Sequence, residues 1–486
     1  CVLSDRTQAP SGSGYALENR IVISRVLPSL YRDSHTPRLA SYFRTVRHTL
    51  DRHAPSSDET EATIVLLSPG PANESYFEHA YLANYLGYTL VEGSDLVVRE
   101  NRVWLKTLEG LRPVHVILRR MDDGYCDPVE LREDSYLGVP GLMNAVRAGN
   151  VTVANPLGSG VLESPALMRY LPKLSQLLLG QDLMLPSVET WWCGNPLELQ
   201  HVLANLERLV IKPVHQSMGF RSRFGAELST ADREALRAAI LANPLRYIAQ
   251  ERLPMSSLPV FDGERLKPRH AVLRAFLVAE EHGYMVMPGG LTRVGSSDDQ
   301  LIVTSQAGGI SKDTWVLATE PEKQFSLLSE RQHAVYVPER NGAVPGRVAD
   351  NMFWTGRYAE RAEFVSRLLR LTLQFLETGE GAGTQAFERL LKAVTTQTMT
   401  WPGFLKLPAG DSEAARNELC RVICDRSSPG SLMQTLSSFL RTARSIRDRL
   451  SSDTWRIIND IDDESNALYN IKPGNIIDAL DEFDNL

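Results

Sequence analysis

The hydrophobic period of this chain changes once, near residue 346, and does not change back. Before that point, short apolar runs alternate with turns containing Gly and Pro. After it, apolar residues recur at spacings of three and four through Arg347 to Glu377, Thr384 to Gln397, Asp411 to Asp425 and Ser431 to Leu450. Short bounded runs are the pattern of strands, and a spacing of three and four is that of helices burying one face. The chain is therefore expected to fold as an α/β and α+β domain over residues 1–330 and a mainly α-helical domain over 347–486. The polar stretch between them ends in Asn341-Gly342 and Pro345-Gly346 and reads as a linker over 331–346.

Within the first region, Thr63 to Leu67 leads through the turn Ser68 to Asn73 into a helical pattern from Glu74 to Leu86, and Thr89 to Glu92 and Val114 to Leu118 read as further strands. Strands alternating with helices predict an α/β layer whose sites collect at the carboxyl ends of the strands. Later runs at Leu209 to Pro213, Tyr247 to Glu251, Ala271 to Val278, Tyr284 to Met287 and Leu301 to Thr304 have few long helices between them, which predicts an antiparallel α+β arrangement.

A formal charge of −7 over 486 residues provides no positive field for a nucleic acid or an anionic membrane. No apolar run approaches the roughly 20 residues needed to span a bilayer. The five cysteines are scattered, unlike a disulfide framework, so a cytoplasmic location is expected. Cys420 and Cys424 lie one helical turn apart without a neighbouring His cluster, and read as packing residues. Cys1-Val2-Leu3 begins without Met and in the pattern of a strand, so a fragment lacking an N-terminal part is expected, with the helical domain incomplete as well.

The candidate chemistry sits at strand ends. Lys212 closes an apolar run ahead of the turn holding Ser217 and Gly219, where an ammonium and backbone amides can share a phosphate. A plain surface lysine fits the same spacing. Gln250 and Glu251 end another strand. Alternation puts His270, Val272 and Arg274 on one face of a third. Arg119, Arg120, Asp122 and Asp123, with Asp127 beyond, gather charge at the end of a buried run. There they can hold a carboxylate or an amine, or simply neutralise one another.

Several blocks together resemble the circularly permuted ATP-grasp type 2 family, related to glutathionylspermidine synthetase-like ligases. They are Pro10 to Arg20, Ser68 to His79, Leu90 to Asp95, Leu137 to Asn150, Val210 to Val214, Ile248 to Glu251, Pro288 to Val294 and Ser311 to Leu317. Asn351 to Glu363 resembles the alpha-E helical domain. The resemblance implies an ATP-dependent carboxylate–amine ligase acting through an acyl phosphate on small-molecule or peptide substrates. Lys212, Ser217 and Gly219 would hold the phosphates, Gln250 and Glu251 the adenosine, and Arg274 the acyl phosphate. Arg119, Arg120, Asp122 and Asp123 would meet the substrate.

The resemblance also implies Mg2+, but the family's Leu-Glu-Asp-Asn is here Leu3-Ser4-Asp5-Arg6, so both metal ligands are replaced and no metal residue is assigned. The phosphate turn reads His215-Gln216-Ser217-Met218-Gly219 in place of Asn-Gly-Ser-Gly-Gly, and Val272 stands where the family more often carries Asp. These departures keep an alternative open, a non-catalytic pseudo-ligase serving as scaffold or regulatory partner of another protein.

Overall fold

The computed structural model describes residues 1–55, 62–215, 222–297, 309–319, 344–378, 384–408 and 411–485. Two compact units emerge. One comprises Cys1–Pro69, Tyr81–Trp104 and Pro113–Arg340, the other Gly70–Ala80, Leu105–Arg112 and Asn341–Leu486.

The first unit contains three four-stranded sheets among the described residues. In the first sheet Thr89–Val91, Ile64–Leu67, Val116–Arg119 and Thr152–Ala154 lie in that order and run parallel. Every residue of Ile64–Leu67 is buried, as expected for a parallel strand covered on both faces. Leu67 pairs with Arg119 and Leu118 with Ala154, so three strands end along one edge. The 119–123 charges and Asn155 leave the sheet there.

The second sheet orders Arg223–Phe224, Leu209–Pro213, Tyr247–Glu251 and Thr190–Trp192, all antiparallel. Helices Pro196–Ala204 and Thr230–Ala242 cover it, packing Val202, Leu236 and Ile240 on Leu209, Ile211 and Ala249. Asn195 and Ser229 cap these helices by accepting the Leu197 and Asp232 amides, each cap contributing about 1 kcal/mol.

The third sheet orders Ser257–Phe261, Leu266–Arg274, Gly289–Val294 and Ile310–Trp315 in antiparallel fashion. The single run expected from Ala271 to Val278 is two strands. Phe276 turns into the core, with 5% of its surface exposed, and the chain resumes as Leu277–Glu280 paired with Gly283–Val286. The expected strand at Leu301 to Thr304 and most of the expected linker lie outside the described residues.

The opening helix Ser13–Val26 is tied to the third sheet by Arg20. Arg20 Nε donates to Asp313 at 2.7 Å, and the two side chains are only 4% and 3% exposed. Nη1 donates to the Pro37 carbonyl at 2.6 Å and Nη2 to the Thr314 carbonyl at 2.7 Å. Trp315 Nε1 donates to the same Asp313 oxygen at 2.6 Å. A Cβ on Gly289 would lie 2.7 Å from Arg20 Nη2, so only glycine leaves room for the guanidinium.

The second unit is built on Gly346–Glu377, Gln385–Thr398, Ser412–Cys424, Leu432–Ser445 and Ser452–Leu468. Thr384, Asp411, Ser431 and Ser451 cap the last four of these by accepting an amide of the first turn, which sets the starts that the apolar period leaves open. Val365, Leu369, Leu373, Val394, Leu419 and Leu436 form its core. The helix expected through Leu450 ends at Ser445, followed by the short turn Arg447–Arg449. Arg447 is held between Phe77, 4.6 Å from the ring centre, and Trp455, at 4.2 Å. No helix among the described residues is long and apolar enough to cross a membrane.

Replacing Asp313 by Ala leaves Arg20 as an uncompensated buried charge. The expected cost is about 3–5 kcal/mol, read as a lower midpoint in urea unfolding.

Candidate functional site

Lys212 lies opposite Ile248 in the second sheet, one diagonal step from Gln250 on the same face. Its ammonium donates to Gln250 Oε1 at 2.6 Å. Gln250 is 2% exposed, and its amide nitrogen donates in turn to Thr190 Oγ1 at 3.1 Å. A neutral amide is thus the acceptor for a partly buried cation. Burial first, and the charge of Arg6 second, hold the Lys212 pKa below the ordinary lysine value. Both effects favour arrival of an anion. Glu251 is exposed at the strand end, and its amide donates to the Glu189 carbonyl at 3.0 Å. Ser217 and Gly219 lie outside the described residues.

The N-terminal segment reaches this site by a path the sequence did not announce. Val2 makes a single parallel bridge to Ser187, after which Glu163 collects the chain. Its Oε1 accepts the Thr7 and Gln8 amides at 2.6 and 2.7 Å, and its Oε2 lies 3.4 Å from Arg6 Nη1. Asn155 Nδ2 and Ser159 Oγ both donate to the Thr7 carbonyl. Glu163 lies in a stretch without strong periodicity, and nothing in its neighbours marks it.

The charged group at the end of the first sheet divides by role. Arg119 is 1% exposed and donates to the carbonyls of Asn155, Met121 and Pro156 and to Ser159 Oγ. The guanidinium is buried and knits two strand ends together. Asp123 is likewise engaged, accepting the Gly124 and Gly158 amides at 2.9 and 3.0 Å. Asp127 accepts the Val129, Gly141 and Met143 amides and so braces the helix Leu142–Arg147. Asp122 remains at the surface. Its carboxyl is raised above the usual range by partial burial and by Glu163 and Asp123, against Arg119 and Arg6. Arg6 therefore stands in electrostatic reach of Lys212 and Asp122 alike.

Arg120 and Arg274 come together on the Pro10–Gly12 turn. Arg120 Nη1 donates to the Pro10 carbonyl at 2.7 Å and Arg274 Nη1 to the Ser11 carbonyl at 2.6 Å. Gly12 adopts a φ of 112°, and a Cβ there would press on Leu291 and Phe276 at 3.1 and 3.2 Å. Residues from the first and third sheets thus meet at one turn.

The residues do not compose a hard-cation site. Mg2+ asks for several oxygen ligands in octahedral array. Here Glu163 and Asp123 are occupied by amides, and a guanidinium stands at position 6. Among the described residues no three His, Cys, Asp or Glu side chains are placed to share a metal. Cys420 and Cys424 both donate to the Ile471 carbonyl, and burial pushes the Cys424 thiol up to about 12, as befits packing residues.

Comparison with known proteins agrees with this architecture. The profile of the circularly permuted ATP-grasp type 2 family matches residues 1–295. That of alpha-E, a predicted alpha-helical domain with a conserved ER motif, matches residues 344–484. An uncharacterized protein of Mycobacterium tuberculosis is 36% identical over 481 residues, covering 95% of this chain and 53% of its own. Another, of Synechocystis, is 38% identical over 316 residues, covering 65% and 66%. This chain spans about half the length of the first of these relatives. A solved structure of the ATP-grasp ligase PsnB with a phosphomimetic variant of its minimal precursor, Mg and ADP is 17% identical. It covers 53% of this chain and 88% of its own, with a TM-score of 0.26.

Replacing Arg6 by Asn removes the like charge near Lys212. The Lys212 pKa is then expected to rise toward its ordinary value, as followed by NMR titration of the lysine side-chain resonances.

Proposed function

This chain belongs to the circularly permuted ATP-grasp type 2 family, joined to an alpha-E domain, and from that premise we propose that it is an ATP-dependent carboxylate–amine ligase. The observation that carries this reading is the strand-end pair Lys212 and Gln250, a partly buried ammonium whose acceptor is a neutral amide. Such a cation is electrostatically ready for the phosphate chain of ATP.

In the proposed reaction an oxygen of the substrate carboxylate attacks the terminal phosphorus of ATP. A new P–O bond forms, the bridging P–O bond breaks, and ADP leaves. The amine of the second substrate then attacks the acyl carbon. The C–N bond forms, the C–O bond to phosphate breaks, and the nitrogen gives up a proton as inorganic phosphate departs. Lys212 offsets the charge of the phosphate chain, while Gln250 and Glu251 position the adenosine. Arg274 faces the charge that develops on the transferred phosphoryl group. Arg120 and Asp122 meet the substrates, and Arg119, Asp123 and Glu163 hold the surrounding backbone in place. No step is assigned to Mg2+, because the residues at its expected position do not suit it. The five free thiols favour a reducing compartment such as the cytoplasm.

One observation favours a second reading. Arg6 carries its charge into the region shared with Lys212 and Asp122, which suits a protein that holds a nucleotide without turning it over and acts as scaffold for a protein partner.

Isothermal titration with ATP, with and without Mg2+, tests both. Ligase chemistry predicts binding that weakens at least tenfold in Lys212→Ala. It also predicts ATP turnover that rises with Mg2+ in the double variant Ser4→Glu, Arg6→Asn. ATP binding with background turnover in that double variant points to the scaffold reading, and no ATP binding overturns nucleotide recognition altogether.

A further inference from the structure

The third sheet carries a cation that the ligase reading does not use. Arg293 pairs directly with Val272 on one side and with Ser311 on the other. Directly opposed residues share a face, and so do residues two apart on one strand. Arg293 therefore lies on the same face as His270, Val272 and Arg274, diagonal to both His270 and Arg274. Diagonal positions are about 7–8 Å apart, within reach of a common partner for side chains of this length.

Two of these side chains have unsatisfied nitrogens. Arg293 Nε and His270 Nδ1 are both buried and without a hydrogen-bond partner among the described residues. No carboxylate among the described residues pairs with the Arg293 guanidinium: Val272, opposite on one side, offers only methyl groups, and Asp313, one diagonal step away on the other, is bonded to Arg20 and Trp315. A desolvated donor on a cation is costly when left unpaired. A guanidinium binds planar or tetrahedral oxyanions through its fork of N–H groups better than any other side chain.

We propose that Arg293 and His270, on the face that also presents Arg274, form an oxyanion-binding site. Its ligand is a group with at least two acceptor oxygens, either a phosphoryl group or a carboxylate. The proposal rests on the ligase reading only for which of these arrives in the cell. The site itself follows from the strand register and the unpaired nitrogens.

Thermal unfolding in millimolar inorganic phosphate, and separately in glutarate, against chloride of equal ionic strength tests it. Wild type is expected to gain stability in at least one of the two anions. Arg293→Met, which keeps the aliphatic stem, is expected to weaken the apparent affinity about tenfold and so lose most of that gain. General salt effects and any anion held at Lys212 act on both proteins and cancel in the comparison. Val272→Asp places a carboxylate opposite the guanidinium, and is expected to raise the midpoint in chloride while abolishing the response to the anion.

A response to phosphate alone identifies phosphoryl recognition, and one to glutarate alone identifies carboxylate recognition. A gain in Arg293→Met or in Val272→Asp as large as that of wild type, or the absence of any gain in wild type, overturns the proposal. Failure of ATP to bind would sink the ligase reading and leave this result standing.

Discussion

The buried pair of Arg20 and Asp313 is the constraint on which the rest of the first unit depends. The two residues are 293 positions apart, and all three guanidinium nitrogens of Arg20 are engaged there, while Asp313 bonds through one oxygen and its Oδ1 has no partner among the described residues. Asp313 holds both Arg20 and Trp315, and Arg20 reaches two carbonyls besides. Because the opening helix is fixed to the third sheet in this way, the turn that precedes it is fixed too. Pro10 and Ser11 can then offer their carbonyls to Arg120 and Arg274. A buried ion pair in isolation is weak evidence of stability, since desolvation offsets much of its attraction. Its importance here is positional, in that it sets where two guanidiniums end.

The site is organised by positive charge restrained by backbone. Arg119, Arg120 and Arg274 direct N–H groups at main-chain carbonyls, while Glu163, Asp123 and Asp127 accept main-chain amides. These side chains act as cross-braces between loops. Lys212 differs, resting against a neutral amide with Arg6 as an unfavourable neighbour. The Arg6 guanidinium that disfavours the charge on Lys212 would equally disfavour a divalent cation placed beside it.

Much of the fold was legible because hydrophobic period reports burial directly. The all-buried run Ile64–Leu67 and the three-four spacing of the long helices point to their elements without help from distant contacts. Element ends were less legible, as at Phe276 and Ser445, because they depend on what the side chain meets in the core. The site was legible only in part. Lys212 and Gln250 could be picked out at strand ends, but that they touch is a matter of register, which a single sequence does not contain. Arg119 looked like an open charge because adjacent positions do not reveal which side chain turns inward. Glu163, which positions the N-terminal segment, carries no local signal at all: its partners are more than 150 positions away.

The separation between Arg20 and Asp313 also has a meaning in time. A chain leaving the ribosome at about 5–20 residues per second exposes its opening helix about 15 to 60 s before the aspartate that anchors it. Through that interval the guanidinium of Arg20 has water in place of its final partner. The first sheet, whose strands all precede Asn155, can assemble without the anchor. The Pro10 turn gains the Arg20–Asp313 anchor behind it only once the last strand of the third sheet has been made.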